Sequence, residues 1–170
     1  MKPGSEGLFY YPYPMGAKAP KFNENARGVF FGMTLKHTRA HFARSILEGI
    51  AFQYAETLEL LEKLGVSAKE ASIVGGEARS PLWNQIKADV LARPIRQPKV
   101  QDAAALGSAI LASVGARVYD SVGRAVKNMV RTRTIYRPKA EERGIYVSAY
   151  EEYKKVYSEL EDAYRALQQP

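Results

Sequence analysis

The chain has 170 residues and a formal net charge of +7 at pH 7, a length that can bury one core but is short for two full domains. It contains no cysteine, which excludes disulfide bonds, thiolate nucleophiles and cysteine-ligated zinc or iron–sulfur sites. No apolar run reaches the roughly 20 residues that span a bilayer, and residues 1–14 lack the apolar centre of a signal peptide, so we predict a cytoplasmic protein without a membrane segment.

The first part of the chain is predicted to form an arm, a strand and a long helix. Residues 1–26 are rich in Pro, Gly and Tyr, which favours an extended arm with turns. The sequence "RGVFFGMTL", residues 27–35, is typical of a strand. The helix extends from its N-cap Thr38 to Leu64, before Gly65. Its predicted core face has spacings of four and three: Phe42, Ile46, Ile50, Tyr54, Leu58 and Leu61.

The middle of the chain alternates strands and helices, which predicts an α/β layer fold. The sequence "ASIV", residues 71–74, indicates a buried strand, and Gly75 and Gly76 follow it. A helix is predicted from Pro81 to Ala92, with Ser80 as its N-cap. Pro94 and Ile95 are expected to begin another short extended piece.

Two further helices and a basic segment complete the predicted elements. Asp102 is expected to cap a helix over residues 103–119. Residues 124–143 carry a dense share of the positive charge, which is typical of a solvated basic edge. The last helix is predicted from Ser148 to Leu167 because tyrosines, valine and leucines recur there at helical spacing.

The glycine pair at residues 75–76 is the candidate binding feature. A strand that leads into two glycines and a helix N-terminus directs free backbone N–H groups, and about half a positive charge, at an anion. Gly75 and Gly76 would let a phosphate or ribose approach the backbone, and Ser80 would cap the helix or contact the ligand. The same glycines also fit a plain turn, so both interpretations stay open. There is no Walker A or G-x-G-x-x-G sequence, which disfavours P-loop and Rossmann sites.

Other polar groups give no catalytic or metal site. His37 and His41 are four residues apart, but the sequence lacks the glutamate of a zinc-protease helix and has no third histidine. We therefore predict no metal site and expect both imidazoles to make local hydrogen bonds. No carboxylate stands out as a general base, because capping or pairing suffices for each candidate: Glu48, Asp89 and Asp102.

Three stretches, in order along the chain, resemble the FGGY family of carbohydrate kinases. They are "ARGVFFGMTLKHTRAHFARSILEGIAFQ" (residues 26–53), "GGEARSPLWNQIKADVLARPI" (residues 75–95) and "DAAALGSAILA" (residues 102–112). The resemblance covers Gly7 to about Ala112 and is most like the xylulokinase branch.

This resemblance implies the C-terminal part of an actin-like or hexokinase-like ATPase (ribonuclease H-like) fold, without its first strands. Residues 1–120 are then expected to form the nucleotide-side domain, with residues 1–26 as its extended arm. Residues 121–170 would be a basic connection and the C-terminal helix of the same domain. The implied function is the ATP-side portion or subunit of a sugar kinase that transfers the γ-phosphate of ATP to a sugar hydroxyl.

The resemblance also implies site residues and partners. Gly75 and Gly76 would lie near the α-phosphate and ribose of ATP, and Ser80 would contact adenine. No catalytic residue is expected in this chain, because the family's aspartate base lies in an N-terminal kinase domain that is missing here. The expected partners are that domain, ATP with Mg²⁺, a sugar substrate and, as an open option, a second copy of the chain, and the isolated chain is expected to be inactive. The alternative is a non-catalytic interaction module whose basic surface binds nucleic acid or an acidic partner, although no nucleic-acid-binding motif is present.

Overall fold

A computed structural model of the chain describes residues 1–166, in which α-helices and short strands alternate. The helices are α1 (Arg39–Lys63), α2 (Pro81–Leu91), α3 (Ala103–Gly115), α4 (Val122–Met129) and α5 (Ala140–Ala166). The strands are β1 (Phe9–Tyr11), β2 (Val29–Phe31), β3 (Ala71–Ser72), β4 (Ile95–Pro98) and β5 (Thr132–Tyr136). Two 3-10 segments occupy Pro3–Gly7 and Gly76–Arg79. The predicted α/β class is confirmed.

The chain forms two compact units. The first unit comprises Met1–Ala68, Asp89–Ala92 and the described residues from Pro138 onward. The second unit comprises Lys69–Ala88 and Arg93–Arg137. Across residues 1–166, none of the helices has the combination of length and apolar character that crossing a membrane requires.

The first unit is built around its N-terminal arm. Strand β1 pairs with β2 in antiparallel fashion, with Phe9 opposite Phe31 and Tyr11 opposite Val29. The predicted arm, residues 1–26, supplies much of the core rather than lying over it, because several of its apolar side chains are buried: Leu8, Phe9, Tyr11, Tyr13, Ala17 and Ala26. The strand predicted over residues 27–35 is shorter than expected, since only Val29–Phe31 pair.

Tyrosines of α5 form the centre of this core. Tyr153 is fully buried and stacks on Tyr11, with ring centroids 4.4 Å apart. The Tyr11 hydroxyl donates to the backbone oxygen of Tyr153 at 2.9 Å, so the buried phenol keeps a hydrogen-bond partner. Phe52 of α1 packs against the same ring at 5.0 Å. Burial raises the pKa of Tyr153, so this side chain stays neutral.

The face of α1 that is buried is not the one predicted. Ile46 and Tyr54 of the predicted apolar stripe are more than one-third exposed. The buried residues lie on another face and are mostly small or polar: Ser45, Glu48, Gly49, Ala51, Phe52, Ala55 and Glu56. The reason is close packing, because a Cβ at Gly49 would clash with the Tyr10 carbonyl oxygen. Helix α1 therefore turns its small side chains, rather than its large ones, toward β1.

Glu48 is a buried acceptor for four donors. Its carboxylate, 2 % exposed, accepts from the Gly4 N–H at 2.9 Å and the Ser5 hydroxyl at 2.7 Å. It also accepts from Arg44 Nε at 2.7 Å and from the Tyr146 hydroxyl at 3.0 Å. This network joins α1, α5 and the first 3-10 segment.

The two histidines make the local contacts that the sequence predicts. The Nδ1 atom of His41 accepts from the Thr38 N–H at 3.0 Å, which helps to cap α1. The Nδ1 atom of His37 accepts from the Thr34 N–H at 2.9 Å. Both imidazoles are thus occupied in backbone capping.

A buried ion pair in the first unit leads to a pH-dependent prediction. Lys21 Nζ lies 2.8 Å from Glu56 Oε1 and 3.1 Å from the centroid of the Tyr157 ring. Burial raises the pKa of Glu56, and Lys21 counteracts this. We expect Lys21→Met to lower the free energy of unfolding by about 2 kcal/mol near neutral pH, as for a lost hydrogen bond to a charged group. Urea unfolding at several pH values measures this loss.

The sign of the pH effect follows from the raised pKa of Glu56. A carboxyl group whose pKa is higher in the folded than in the unfolded state favours folding while protonated, and loses this contribution as pH rises through the folded pKa. Without Lys21 the pKa of Glu56 rises further, so the loss should grow between about pH 5 and about pH 8. The control is Lys21→Met with Glu56→Gln, which should show little pH dependence. An equal loss at both pH values would contradict the prediction.

The second unit contains a three-stranded sheet in the order β3-β4-β5. Strands β3 and β4 are parallel, with Ala71 beside Ile95, and β4 and β5 are antiparallel, with Ile95 beside Tyr136. The N–H groups of Ala71 and Ile73 bond toward β4, to the oxygens of Pro94 and Arg96. Within the described residues, β3 is therefore an edge strand.

The C-terminal part differs most from the sequence prediction. The basic segment is largely exposed, as expected of a solvated edge, but it holds most of α4 and all of β5, which were not predicted. Helix α3 ends at Gly115 instead of residue 119, and α5 begins at Ala140, eight residues before the predicted Ser148. Two glutamates in its first turn favour this earlier start through the helix dipole. The predicted end of this helix, Leu167, lies outside the described residues.

Candidate functional site

The glycine pair follows β3 directly and has an unusual backbone. Gly75 has φ 79° and ψ −164°, a combination that only glycine adopts without strain. Its N–H donates to the Gln101 oxygen at 2.8 Å, so this amide is occupied by the protein itself. No heavy atom lies within 4 Å of the position that a Cβ would take at Gly75 or at Gly76. Both glycines thus border open space.

A 3-10 turn separates the glycines from α2. No regular element was predicted between Gly76 and Ser80, and the structure forms the 3-10 turn Gly76–Arg79. Helix α2 then begins at Pro81, as predicted. The Ser80 hydroxyl accepts from the Trp83 N–H at 3.3 Å, which confirms Ser80 as the N-cap.

A cavity of about 420 Å³ opens at the glycine pair. Its lining residues come from the end of β3, the 3-10 turn and the start of α3: Val74, Gly75, Gly76, Arg79, Gln101, Asp102, Ala103 and Ala104. Ser80 is not among them. The volume lies within the range of about 300–1,000 Å³ that is typical of small-molecule sites.

The start of α3 supplies amide donors to this cavity. Asp102 caps the helix, since its Oδ1 accepts from the Ala105 N–H at 2.9 Å, as predicted. The N–H groups of Ala103 and Ala104, the first two helical residues, have no partner four residues back. These donors, with the positive end of the helix dipole, favour an anion or a polar oxygen in the cavity.

Two buried amide side chains hold the 3-10 turn in place. The carbonyl oxygen of Ala78, a fully buried residue, accepts from Asn84 Nδ2 at 2.8 Å and from Gln97 Nε2 at 2.6 Å. The Tyr136 hydroxyl in turn donates to Gln97 Oε1 at 3.3 Å. These positioning residues were not predicted from the sequence. The signal it offered is a pair of amide side chains, Asn84 in α2 and Gln97 in β4, at positions that the fold buries.

The acidic side chain of the turn, Glu77, is neutralised by a buried lysine of α2. Lys87 is fully buried, and its Nζ donates to Glu77 Oε2 at 2.6 Å. Burial lowers the pKa of Lys87, and Glu77 opposes this shift. The ammonium also lies 4.0 Å from the Trp83 ring centroid. This pair links the turn to α2.

We expect Gly75→Ala to lower the free energy of unfolding by about 2 kcal/mol, because a Cβ is strained at this backbone conformation. Urea unfolding followed by fluorescence of Trp83, the one tryptophan in the chain, measures the effect in this unit. The matched control is Gly76→Ala, which has no positive φ and open space around a Cβ. Equal stability of the two variants would contradict the prediction.

The site has binding groups but no evident catalytic pair. Among the described residues that line the cavity, Asp102 is the only carboxylate, and it is engaged as the cap of α3. Within residues 1–166, no three His, Asp or Glu side chains form a group that could hold a metal ion. The described lining of the cavity thus offers groups that can hold and orient a ligand.

The amino-acid sequence has well-defined relatives. Residues 2–116 match the C-terminal domain of the FGGY family of carbohydrate kinases. A xylulose kinase from Bacillus subtilis (strain 168) is 32% identical over 164 residues, which is 96% of this chain and 33% of that enzyme. The chain thus spans about a third of the length of the curated relatives it matches.

Solved structures agree with these relatives. The ligand-bound xylulose kinase from Lactobacillus acidophilus matches 97% of this chain and 34% of its own, with a TM-score of 0.86 and 26% sequence identity. Plasmodium falciparum glycerol kinase with ADP matches 89% of this chain and 31% of its own, with a TM-score of 0.75 and 25% identity.

Proposed function

This chain belongs to the FGGY family of carbohydrate kinases, and from that membership we propose that it forms the ATP-binding side of a sugar kinase. Its fold is that of the C-terminal domain of these actin-like enzymes. The proposed reaction transfers the γ-phosphoryl group of ATP to a sugar hydroxyl and yields ADP and a sugar phosphate. The proton of the hydroxyl goes to a base outside this chain, in an N-terminal kinase domain.

The cavity at Gly75 and Gly76 is the observation that carries this proposal. Its wall has no side chain at either glycine, and a nucleotide could therefore lie against the backbone. The amides of Ala103 and Ala104 add donors for an anionic or hydroxyl oxygen. We propose that Gly75 and Gly76 contact the phosphate and ribose. Ser80 lies outside the cavity lining, so its proposed adenine contact depends on the complete enzyme.

The described residues that line the cavity do not supply a ligand set for the Mg²⁺ that phosphoryl transfer usually requires. They include one carboxylate, Asp102, and its Oδ1 already accepts from Ala105. Mg²⁺ ligands are carboxylates, water and phosphates in octahedral geometry. Any Mg²⁺ would need its ligands from the nucleotide and from the N-terminal domain, and we assign no step to it here.

The proposal also covers the boundaries of the domain, its partner domain and the sugar substrate. We propose that residues 1–120 form the nucleotide side and that residues 121–170 complete the same domain of the full kinase. The partner is an N-terminal kinase domain that supplies the base and most sugar contacts. The xylulose kinases among the relatives suggest xylulose as the first sugar to test.

Nucleotide binding tests the proposal on the chain itself. An isotope-labelled sample titrated with ADP to about 5 mM, where even a millimolar complex is populated, should shift the NMR amide signals of Gly75, Gly76, Ala103 and Ala104. The amides of Gly115 and Gly144, which do not line the cavity, serve as controls. Absence of shifts, or shifts confined to other residues, would overturn the assignment.

Reconstitution tests the phosphoryl transfer. The chain is mixed with the N-terminal two-thirds of the Bacillus subtilis xylulose kinase, together with ATP, Mg²⁺ and xylulose. We expect ADP formation that needs both polypeptides and the sugar. ADP formation that is independent of this chain would contradict its proposed part in the reaction.

A second candidate function follows from the charge distribution. The second unit has twelve Lys and Arg against four Asp and Glu, a net charge of +8, which exceeds the +7 of the whole chain. Such a unit could bind nucleic acid or an acidic partner without catalysis. Titration with single-stranded DNA over a salt series discriminates, because phosphate contacts give a steep salt dependence. No binding at low salt excludes this candidate for nucleic acid.

A further inference from the structure

We propose that Arg79 is a nucleotide-binding residue whose guanidinium contacts the phosphate groups of the ligand in the glycine-pair cavity. This inference rests on the proposed function, since it assigns a cationic side chain to the same site. It adds a contact that the glycines and backbone amides cannot provide, namely one with a full positive charge.

The position of Arg79 is fixed by the turn that carries it. Arg79 is the last residue of the 3-10 turn and lines the cavity together with Gly75 and Gly76. The preceding residue, Ala78, is anchored by the amide groups of Asn84 and Gln97, at 2.8 Å and 2.6 Å. The backbone that leads into Arg79 is therefore held by two buried hydrogen bonds.

Among the charged side chains of this turn, Arg79 is the one without an ion pair in the described part of the chain. The turn contains one acid, Glu77, and this carboxylate already pairs with the buried ammonium of Lys87 at 2.6 Å. In the described part of the chain, the Arg79 side chain has no hydrogen bond and no ion pair. Lys87 thus neutralises the acid next to the cavity, and the exposed Arg79 keeps its charge available.

The chemistry of the guanidinium favours a phosphate over the other parts of a nucleotide. Its planar set of N–H donors matches two phosphate oxygens at once, and it adds a full positive charge. Asp102 also lines the cavity, but its Oδ1 accepts from the Ala105 N–H, and among the described residues it forms no ion pair with Arg79. The assignment predicts selectivity for phosphorylated nucleosides.

The test compares ADP with adenosine on the full chain, by NMR titration of the wild type, Arg79→Ala, Arg79→Lys and Arg131→Ala. Arg131 is an exposed arginine of the same unit that does not line the cavity, and it serves as the matched control. We expect Arg79→Ala to weaken ADP binding about tenfold, with adenosine affinity unchanged within about twofold. Arg79→Lys should lose less ADP affinity than Arg79→Ala, because lysine keeps the positive charge although it lacks the planar guanidinium. Arg131→Ala should bind both ligands as the wild type does.

The remaining outcomes distinguish failure of the Arg79 assignment from failure of the proposed function. Unchanged ADP affinity in both Arg79 variants, in a wild type that binds ADP at the glycine pair, overturns the role of Arg79 and leaves the proposed function standing. An equal loss for ADP and adenosine also overturns it, because the side chain would then contact the base or ribose. A wild type that binds no ADP overturns the proposed function and this inference with it.

Discussion

The variant Gly76→Val should bind ADP about tenfold or more weakly than the wild type, a change equivalent to 1.4 kcal/mol or more. A Cβ at this position meets no protein atom within 4 Å, so the fold can accommodate the valine side chain. Because Gly76 lines the cavity, that side chain would extend into it. It would occupy the space that we assign to the nucleotide. NMR or calorimetric titration of the full chain with ADP measures the loss.

The structure offers a matched control for this variant. Gly115 also has open space around a Cβ and no positive φ, but it lies at the end of α3 and does not line the cavity. Gly115→Val should therefore leave ADP affinity unchanged. The Trp83 fluorescence signal in urea checks that Gly76→Val remains folded. Wild-type ADP affinity in a folded Gly76→Val chain would remove the glycine pair from the nucleotide site.

Replacement of Glu48 by alanine should lower the free energy of unfolding by about 3–5 kcal/mol, the range for removing one partner of a buried charged pair. The carboxylate is 2 % exposed and accepts four hydrogen bonds. Its removal leaves the guanidinium of Arg44 and the hydroxyls of Ser5 and Tyr146 without this acceptor. Far-UV circular dichroism in urea measures the change.

Two further variants calibrate this loss, one by removing a single hydrogen bond of the network and the other by removing an exposed glutamate. Tyr146→Phe deletes one donor of the network and should cost about 1 kcal/mol. Glu152→Ala removes an exposed glutamate of α5 and should stay within about 0.5 kcal/mol of the wild type. A Glu48→Ala variant as stable as Glu152→Ala would mean that the buried network adds no net stability.

Local sequence signals identified most of the elements and the candidate loop. The caps Thr38, Ser80 and Asp102 were predicted because a short polar side chain before an apolar helix satisfies its first N–H groups. Each is seen in this role. The order of the motifs also predicted the kinase family, which the match over residues 2–116 confirms. The nucleotide roles of Gly75, Gly76 and Ser80 stay predictions.

Some short elements could not be found from local patterns. Helix α4 and strand β5 lie in a stretch where many basic residues obscure the apolar periodicity. Strand β3 pairs over two residues, Ala71–Ser72, although four were predicted, since the length of pairing depends on the partner strand β4. Such boundaries are set by partners distant in sequence.

By itself, the sequence determined that α1, α2, α3 and α5 form, where the first three are capped and which glycines interrupt the backbone, because these depend on residues within one or two turns of each other. Only the tertiary structure decided which face of α1 is buried, since Gly49 must pass the backbone of Tyr10. It also decided that Lys87 neutralises Glu77 and so leaves Arg79 as the free cation of its turn within the described residues. These choices depend on distances across the fold, where burial and charge pairing outweigh local preference.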